Sequence, residues 1–158
     1  MNFKAIILAA GKGTRMKSKY PKVVHKVCGK EMVNHVISVS KKSGVNDIVA
    51  ILGHESDVVK EKLPKDTMIA MQTDQLGTGH AVMMAKEYIN DNDTIVVLCG
   101  DTPLVKEETL KRLFDYHIEH GYHATVLTTT VDNPTGYGRI IRDENKDLLK
   151  IVEQKDAN

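Results

Sequence analysis

Phe3-Lys4-Ala5-Ile6-Ile7-Leu8-Ala9-Ala10 runs without a break into Gly11-Lys12-Gly13-Thr14-Arg15-Met16. Apolar residues at nearly every position of the first part describe a strand covered on both faces, as in a parallel sheet; a strand wetted on one face would alternate. The glycine turn that ends it carries its own cations. Glycines let backbone N–H groups approach phosphate oxygens and Lys or Arg neutralise them, so the segment has the makings of a polyphosphate site. Charge along the chain agrees with this: the first thirty residues hold eight Lys or Arg and no Asp or Glu, whereas the 158-residue chain as a whole is only +1. A solvated basic loop serving solubility is the alternative reading of the same charges.

Outward from this segment the hydrophobic pattern alternates between two periods. Met32, Val33, Val36, Ile37 and Val39 have mostly helical spacing, with Gly44 where a C-terminal cap belongs. Further helices are predicted over 56–63, closed by Pro64, over 79–89, and over 107–120 with Leu110, Leu113, Phe114 and His117 or Ile118 inward. Strands are predicted over 47–52, 68–71, 94–99, 124–131, 139–142 and 148–152, the one over 94–99 as a buried strand that encloses Cys99. Alternating strands and helices predict a doubly wound, mostly parallel α/β sheet with right-handed crossovers, and 158 residues allow one core. Ligands of such sheets lie outside the carboxyl ends of the strands. Gly11 and Gly100-Asp101 both fall at such ends, so they can face one crevice.

Composition excludes several classes. A hydrophobic content of 41% and a charged content of 27% describe an ordinary globular chain. There is no apolar stretch approaching a membrane span and no charged-then-apolar leader, so a cytoplasmic location is expected, with neither membrane nor nucleic acid as partner. Cys28 and Cys99 are the only cysteines and are expected as free thiols. His117, His120 and His123 are spaced three apart, but no cysteine or carboxylate clearly completes a metal set, and helix packing or surface positions explain them as well.

The loop chemistry narrows the ligand. A P-loop needs four residues between its first glycine and a Gly-Lys-Ser/Thr, which Gly11-Lys12-Gly13-Thr14 does not supply. The dinucleotide fingerprint would need Gly or Ala where Met16 stands, and an acidic residue near His35. Lys12 and Arg15 inside the loop call for more ligand charge than a dinucleotide pyrophosphate carries. A nucleoside triphosphate fits.

The loop Leu8 to Met16, then Tyr20-Pro21-Lys22, Gln72 with Leu76-Gly77-Thr78-Gly79-His80-Ala81, Cys99-Gly100-Asp101-Thr102-Pro103-Leu104 and Gly136-Tyr137-Gly138-Arg139-Ile140 stand in that order. Together they resemble the motifs of the sugar-nucleotide pyrophosphorylases, and most closely of those that make UDP-N-acetylglucosamine. The resemblance runs from Lys4 to the last residue. It implies a Rossmann-like nucleotide-diphospho-sugar transferase domain over 1–158, with its sugar-binding part incomplete and the acetyltransferase β-helix domain of the bifunctional members absent. It implies transfer of UMP from UTP to N-acetylglucosamine 1-phosphate, giving pyrophosphate and a cell-wall precursor, with Mg²⁺ as cofactor.

Residue by residue, the resemblance implies that Leu8, Ala9, Ala10, Gly11, Gly13 and Thr14 hold the nucleotide, while Lys12, Arg15 and Lys22 face the phosphates as the catalytic cations. Gln72, Gly77 and Thr78 would read the uracil edge, Asp101 would hold Mg²⁺, and Gly138 and Glu153 would hold the sugar. Arg15→Ala is then expected to cost on the order of 3 kcal/mol of transition-state stabilisation, a hundredfold or more in rate, without disturbing the fold. Alternatives are a nucleotide-binding fragment or regulator without turnover, and a pyrophosphorylase for another sugar phosphate. An incomplete sugar-binding part would leave apolar surface uncovered, through which a homo-oligomer could form.

Overall fold

Ala5, Ile6 and Ile7 have no exposed surface, because the strand that contains them has a parallel neighbour on each side and helices on both faces. This computed structural model describes residues 2–156 except Lys12, Thr14, Arg15, His54 and Glu55. Its elements in chain order are β1 (Asn2–Leu8), β2 (Lys26–Val27), β3 (Lys30–Glu31), α1 (Met32–Lys42), β4 (Asp47–Leu52), α2 (Ser56–Lys60), β5 (Met68–Met71), α3 (Thr78–Met83), β6 (Asp93–Cys99), α4 (Glu107–His120), β7 (Arg139–Arg142) and β8 (Leu148–Val152). The chain divides into two compact units, Met1–Asp115 and Tyr116–Asn158.

The first unit is the α/β sheet that the pattern predicts. Its order is β5-β4-β1-β6, all parallel, so the chain steps outward from β1 through β4 to β5 and then crosses to the other side of β1 for β6. Alternate residues of β1 serve opposite layers. Ala5 and Ile7 pack with Val33, Val36 and Ile37 of α1 and with Leu110 and Phe114 of α4, where the Phe3 and Phe114 rings stack at 4.5 Å. Ile6 packs on the other face with Val49, Ile51, Ala70 and the α3 residue Ala81. At the end of α1, Gly44 takes φ +92, which a residue with a Cβ would adopt only under strain, and its N–H donates to the Lys41 carbonyl as the predicted cap requires.

Four expectations are corrected by tertiary context. The helix predicted over 56–63 ends at Lys60. The one predicted over 79–89 stops at Met83, and a 3-10 turn follows at Lys86–Tyr88. There Tyr88 is tied to the sheet twice, its hydroxyl donating to the Ile69 carbonyl at 2.9 Å and its own carbonyl accepting from Lys4 Nζ. The strand predicted as buried, β6, lies at the sheet edge: α3 packs over β1, β4 and β5 and leaves Ile95 39% and Val97 43% exposed on that face. Cys99, expected inside, is exposed.

The segment 124–131, predicted as a strand, is irregular, and Val126, Leu127 and Val131 are exposed; β-branched residues hold an extended ladder only when a partner strand supplies hydrogen bonds. In the second unit β7 and β8 form an antiparallel pair joined by a turn in which the Asp143 carboxylate accepts from the Asn145 and Asp147 N–H groups. No helix among the described residues is long and apolar enough to cross a membrane.

Candidate functional site

Three chain segments end at the carboxyl edge of the sheet, at the point where strand order reverses, and together they enclose a cavity of about 620 Å³. The first is the loop after β1. Ladder-like bonds carry it past the strand end: Ala9 N–H donates to the Ile51 carbonyl and Gly100 N–H to the Leu8 carbonyl, each at 2.9 Å. The buried Gly53 lets β4 lie against the loop, since a Cβ there would stand 2.8 Å from the Ala10 carbonyl oxygen. Gly13 adopts φ +61, and a Cβ on it would come within 2.7 Å of the Lys22 Cβ. Only glycine fits both demands, and its bare face is what lets the Lys22 backbone close on the loop.

Lys22 sits in a short 3-10 turn, Lys22–Val24, between this loop and the β2–β3 hairpin. Its ammonium reaches the second segment, the end of β6, where it pairs with Asp101 at 2.7 Å; both side chains keep about a third of their surface in solvent. Cys99 lines the cavity beside this pair. Partial desolvation of its sulfur on this otherwise exposed residue pushes the thiol above its ordinary value, the Asp101 carboxylate adds to the effect, and Lys22 opposes it. The thiol therefore stays protonated at neutral pH, which disfavours it as a nucleophile.

The third segment joins β5 to α3. Gln72 is 4% exposed; its N–H donates to the Leu52 carbonyl at 2.7 Å, and its Nε2 lies 3.1 Å from both the Gly77 carbonyl oxygen and His80 Nδ1. Gly77, at φ +104, makes the turn into α3. Gln75 reaches across the cavity and donates from Nε2 to the Ala10 carbonyl at 2.8 Å, joining the third segment to the first.

Of the residues singled out in the sequence, Leu8, Ala10, Gly11, Gly13, Lys22, Gln72, Gly77, Thr78 and Asp101 line this one cavity. Ala9 does not; its side chain belongs to the core on the α1 side. Lys12, Thr14 and Arg15 lie outside the described residues. Gly138 and Glu153 are in the second unit, Gly138 against Ile151 of β8 and Glu153 exposed just beyond β8.

Sequence reasoning passed over Gln75, and placed His80 only as a member of the motif Leu76 to Ala81. Only the turn at Gly77 folds His80 back on Gln72. A glutamine three positions beyond Gln72 in a polar loop was the one available signal for Gln75. Among the described residues no group of three or more His, Cys, Asp or Glu is gathered as a metal site. His117 instead meets Thr125 Oγ1, and His120 donates to the Tyr116 carbonyl, as ordinary structural contacts. Among the described residues Asp101 is the carboxylate that lines the cavity, a hard oxygen donor of the kind that binds Mg²⁺ together with phosphate oxygens and waters.

Residues 4–156 match the family model described as Nucleotidyl transferase. The chain is 85% identical over 158 residues to the bifunctional protein GlmU of Clostridioides difficile and 59% identical over 157 residues to that of Alkaliphilus oremlandii. It covers 100% and 99% of itself in these two matches and 34% of each relative, so it spans about a third of the length of the curated relatives it matches.

Among solved structures, a Bacillus anthracis protein provisionally assigned as a glucose-1-phosphate thymidylyltransferase, in complex with sucrose, superposes with a TM-score of 0.79 at 24% identity, over 96% of this chain and 64% of that one. Rv0371c of Mycobacterium tuberculosis, in complex with manganese, superposes with a TM-score of 0.61 at 23% identity, over 73% of this chain and 59% of that one. At these identities the likeness is one of fold.

Proposed function

The chain belongs to the nucleotidyl transferase family, and from that premise we propose that its cavity binds UTP for transfer of UMP to N-acetylglucosamine 1-phosphate, releasing pyrophosphate. The observation that carries this reading is the polarity of the cavity. A glutamine amide and the Gly77-Thr78 turn form one wall, and the Lys22–Asp101 pair stands on another, with the glycine loop between them. A base that both donates and accepts hydrogen bonds suits the amide wall, and a polyphosphate suits the wall that carries Lys22. The identity to the two bifunctional relatives supports the choice of uracil and of the N-acetylated sugar phosphate.

The reaction needs no protein nucleophile: an oxygen of the sugar phosphate forms a bond to the α-phosphorus, and the bond from that phosphorus to the pyrophosphate oxygen breaks. What the chain contributes is placement of two anions that repel each other, and cations where negative charge grows. The backbone of Ala10, Gly11 and Gly13 cradles the nucleotide, and Lys22, held close by Gly13, presents its ammonium to the phosphates. Lys12, Thr14 and Arg15 add their groups from the same loop. Asp101 would hold a divalent cation, Mg²⁺ in this reading, which when bound supplies further neutralisation of the phosphates. Gly138 and Glu153 are the proposed sugar contacts. Self-association through apolar surface that the incomplete sugar-binding part would leave uncovered belongs to the same reading. A protein that stays monomeric across a wide concentration range in light scattering would remove it.

Pyrophosphate release in Mg²⁺ from UTP and N-acetylglucosamine 1-phosphate, with glucose 1-phosphate and dTTP as parallel substrates, tests the proposal. Release confined to the first pair supports it, and release with a parallel substrate reassigns the sugar or the base. A second reading, a nucleotide-binding unit without turnover, is favoured by Asp101 being the single carboxylate among the described residues that line the cavity. It predicts calorimetric UTP binding with no release.

A further inference from the structure

Gln72 has one amide and two demands on it. Its Nε2 lies 3.1 Å from the Gly77 carbonyl oxygen and 3.1 Å from His80 Nδ1. The Gly77 carbonyl can only accept, so the atom that faces it has to be the NH₂ nitrogen. With one hydrogen spent on Gly77, the other points to His80, whose Nδ1 therefore accepts, and the imidazole carries its proton on Nε2. Both donors of the amide are thus consumed within the wall, and the wall is 4% exposed at Gln72. Oε1 remains, with no partner among the described residues, on a side chain that lines the cavity.

We infer that His80 is a positioning residue for base selection: by accepting from Gln72 Nε2 it holds the amide so that an acceptor, Oε1, meets the base. The inference rests on the nucleotide-binding reading above. An acceptor at that place pairs with the N3–H of a uracil or thymine ring and faces the N3 lone pair of cytosine, so it selects by attraction and repulsion together. Without an acceptor at position 80 the amide loses one of its two anchors, and the rotated amide, which presents NH₂, becomes accessible. His80 never touches the base; it acts through Gln72.

Calorimetric binding of UTP and of CTP to the full chain tests this with two variants of one shape. The carbonyl oxygen of His80→Asn takes the place of Nδ1, whereas His80→Leu puts a methyl group there. The expected result is a preference for UTP over CTP in the native chain, kept in His80→Asn and reduced roughly tenfold in His80→Leu, about what one hydrogen bond is worth. A UTP-to-CTP ratio unchanged in His80→Leu overturns the inference, as does an equal loss of both nucleotides in both variants, which a merely structural histidine would give. Should His80→Leu fail to fold, ¹⁵N NMR of the native chain decides: a neutral His80 with its proton on Nδ1 overturns the proposal, and one with its proton on Nε2 supports it. No binding of UTP to the native chain would instead overturn the nucleotide-site reading, and this inference with it.

Discussion

Lys4 lies in the middle of an apolar run and is 6% exposed. Its burial is tolerable because Nζ donates to the Tyr88 carbonyl and lies 2.9 Å from the Asp93 carboxylate, which in turn accepts from Asn90 N–H and Nδ2. Both side chains are nearly dry, so removing the cation leaves a buried carboxylate that keeps its hydrogen bonds from Asn90 but loses its counter-charge. Lys4→Met is expected to lower unfolding free energy by about 3 to 5 kcal/mol in urea titrations. The double variant Lys4→Met with Asp93→Leu should recover much of this, because no charge is then stranded. An unchanged urea midpoint in Lys4→Met would mean that the pair contributes nothing. The sequence showed Lys4 only as a break in a hydrophobic run, since its partner lies 89 positions away.

At the scale of elements, the loop after β1 was legible because its information is local: an apolar run, glycines and cations in succession. What the loop needs each glycine for was not legible. Gly13 combines φ +61 with a Cβ position 2.7 Å from Lys22, whereas a Cβ on Gly11 would meet nothing within 4 Å. Gly13→Ala should therefore cost roughly 1 to 2 kcal/mol of stability, through the left-handed backbone and the displaced Lys22, and Gly11→Ala close to none. Thermal melts of the two variants compare them directly, and equal shifts would refute the assignment. Helices α1 and α4 and strands β4 and β5 follow their hydrophobic period closely, because each presents one stripe or one run to a core. The break after α3 and the exposure of β6 depend on Tyr88, Lys4 and the position of α3 over its neighbours, none of which a local window contains.

For the molecule as a whole, acid should weaken the fold. The Glu31 carboxyl is held below its ordinary value by its own backbone N–H and then by the Asn34 amide, Asp66 by Lys41, and Glu107 by Lys111. A carboxyl that is harder to protonate when folded contributes stability above its unfolded value, near pH 4, and loses that contribution as pH falls through the lower folded value. Melting temperature is thus expected to decline below about pH 4.5, with a limb that flattens in high salt because the lysine-paired carboxylates are solvent-exposed. A flat profile down to pH 3 would contradict this.

Order along the chain and the chemistry of the loop were already present in the residues: alternating periods yield an α/β sheet, and glycines with cations at a strand end yield an anion site. Partnership was decided only in three dimensions. Asp101 meets Lys22 across 79 positions, β6 becomes an edge, His80 turns back onto Gln72, and the residues 124–131 remain without a ladder. Periodicity records that a residue will be buried. Which group will bury it, or complete its hydrogen bonds, depends on contacts between segments far apart in the chain, and those form only when the sheet does.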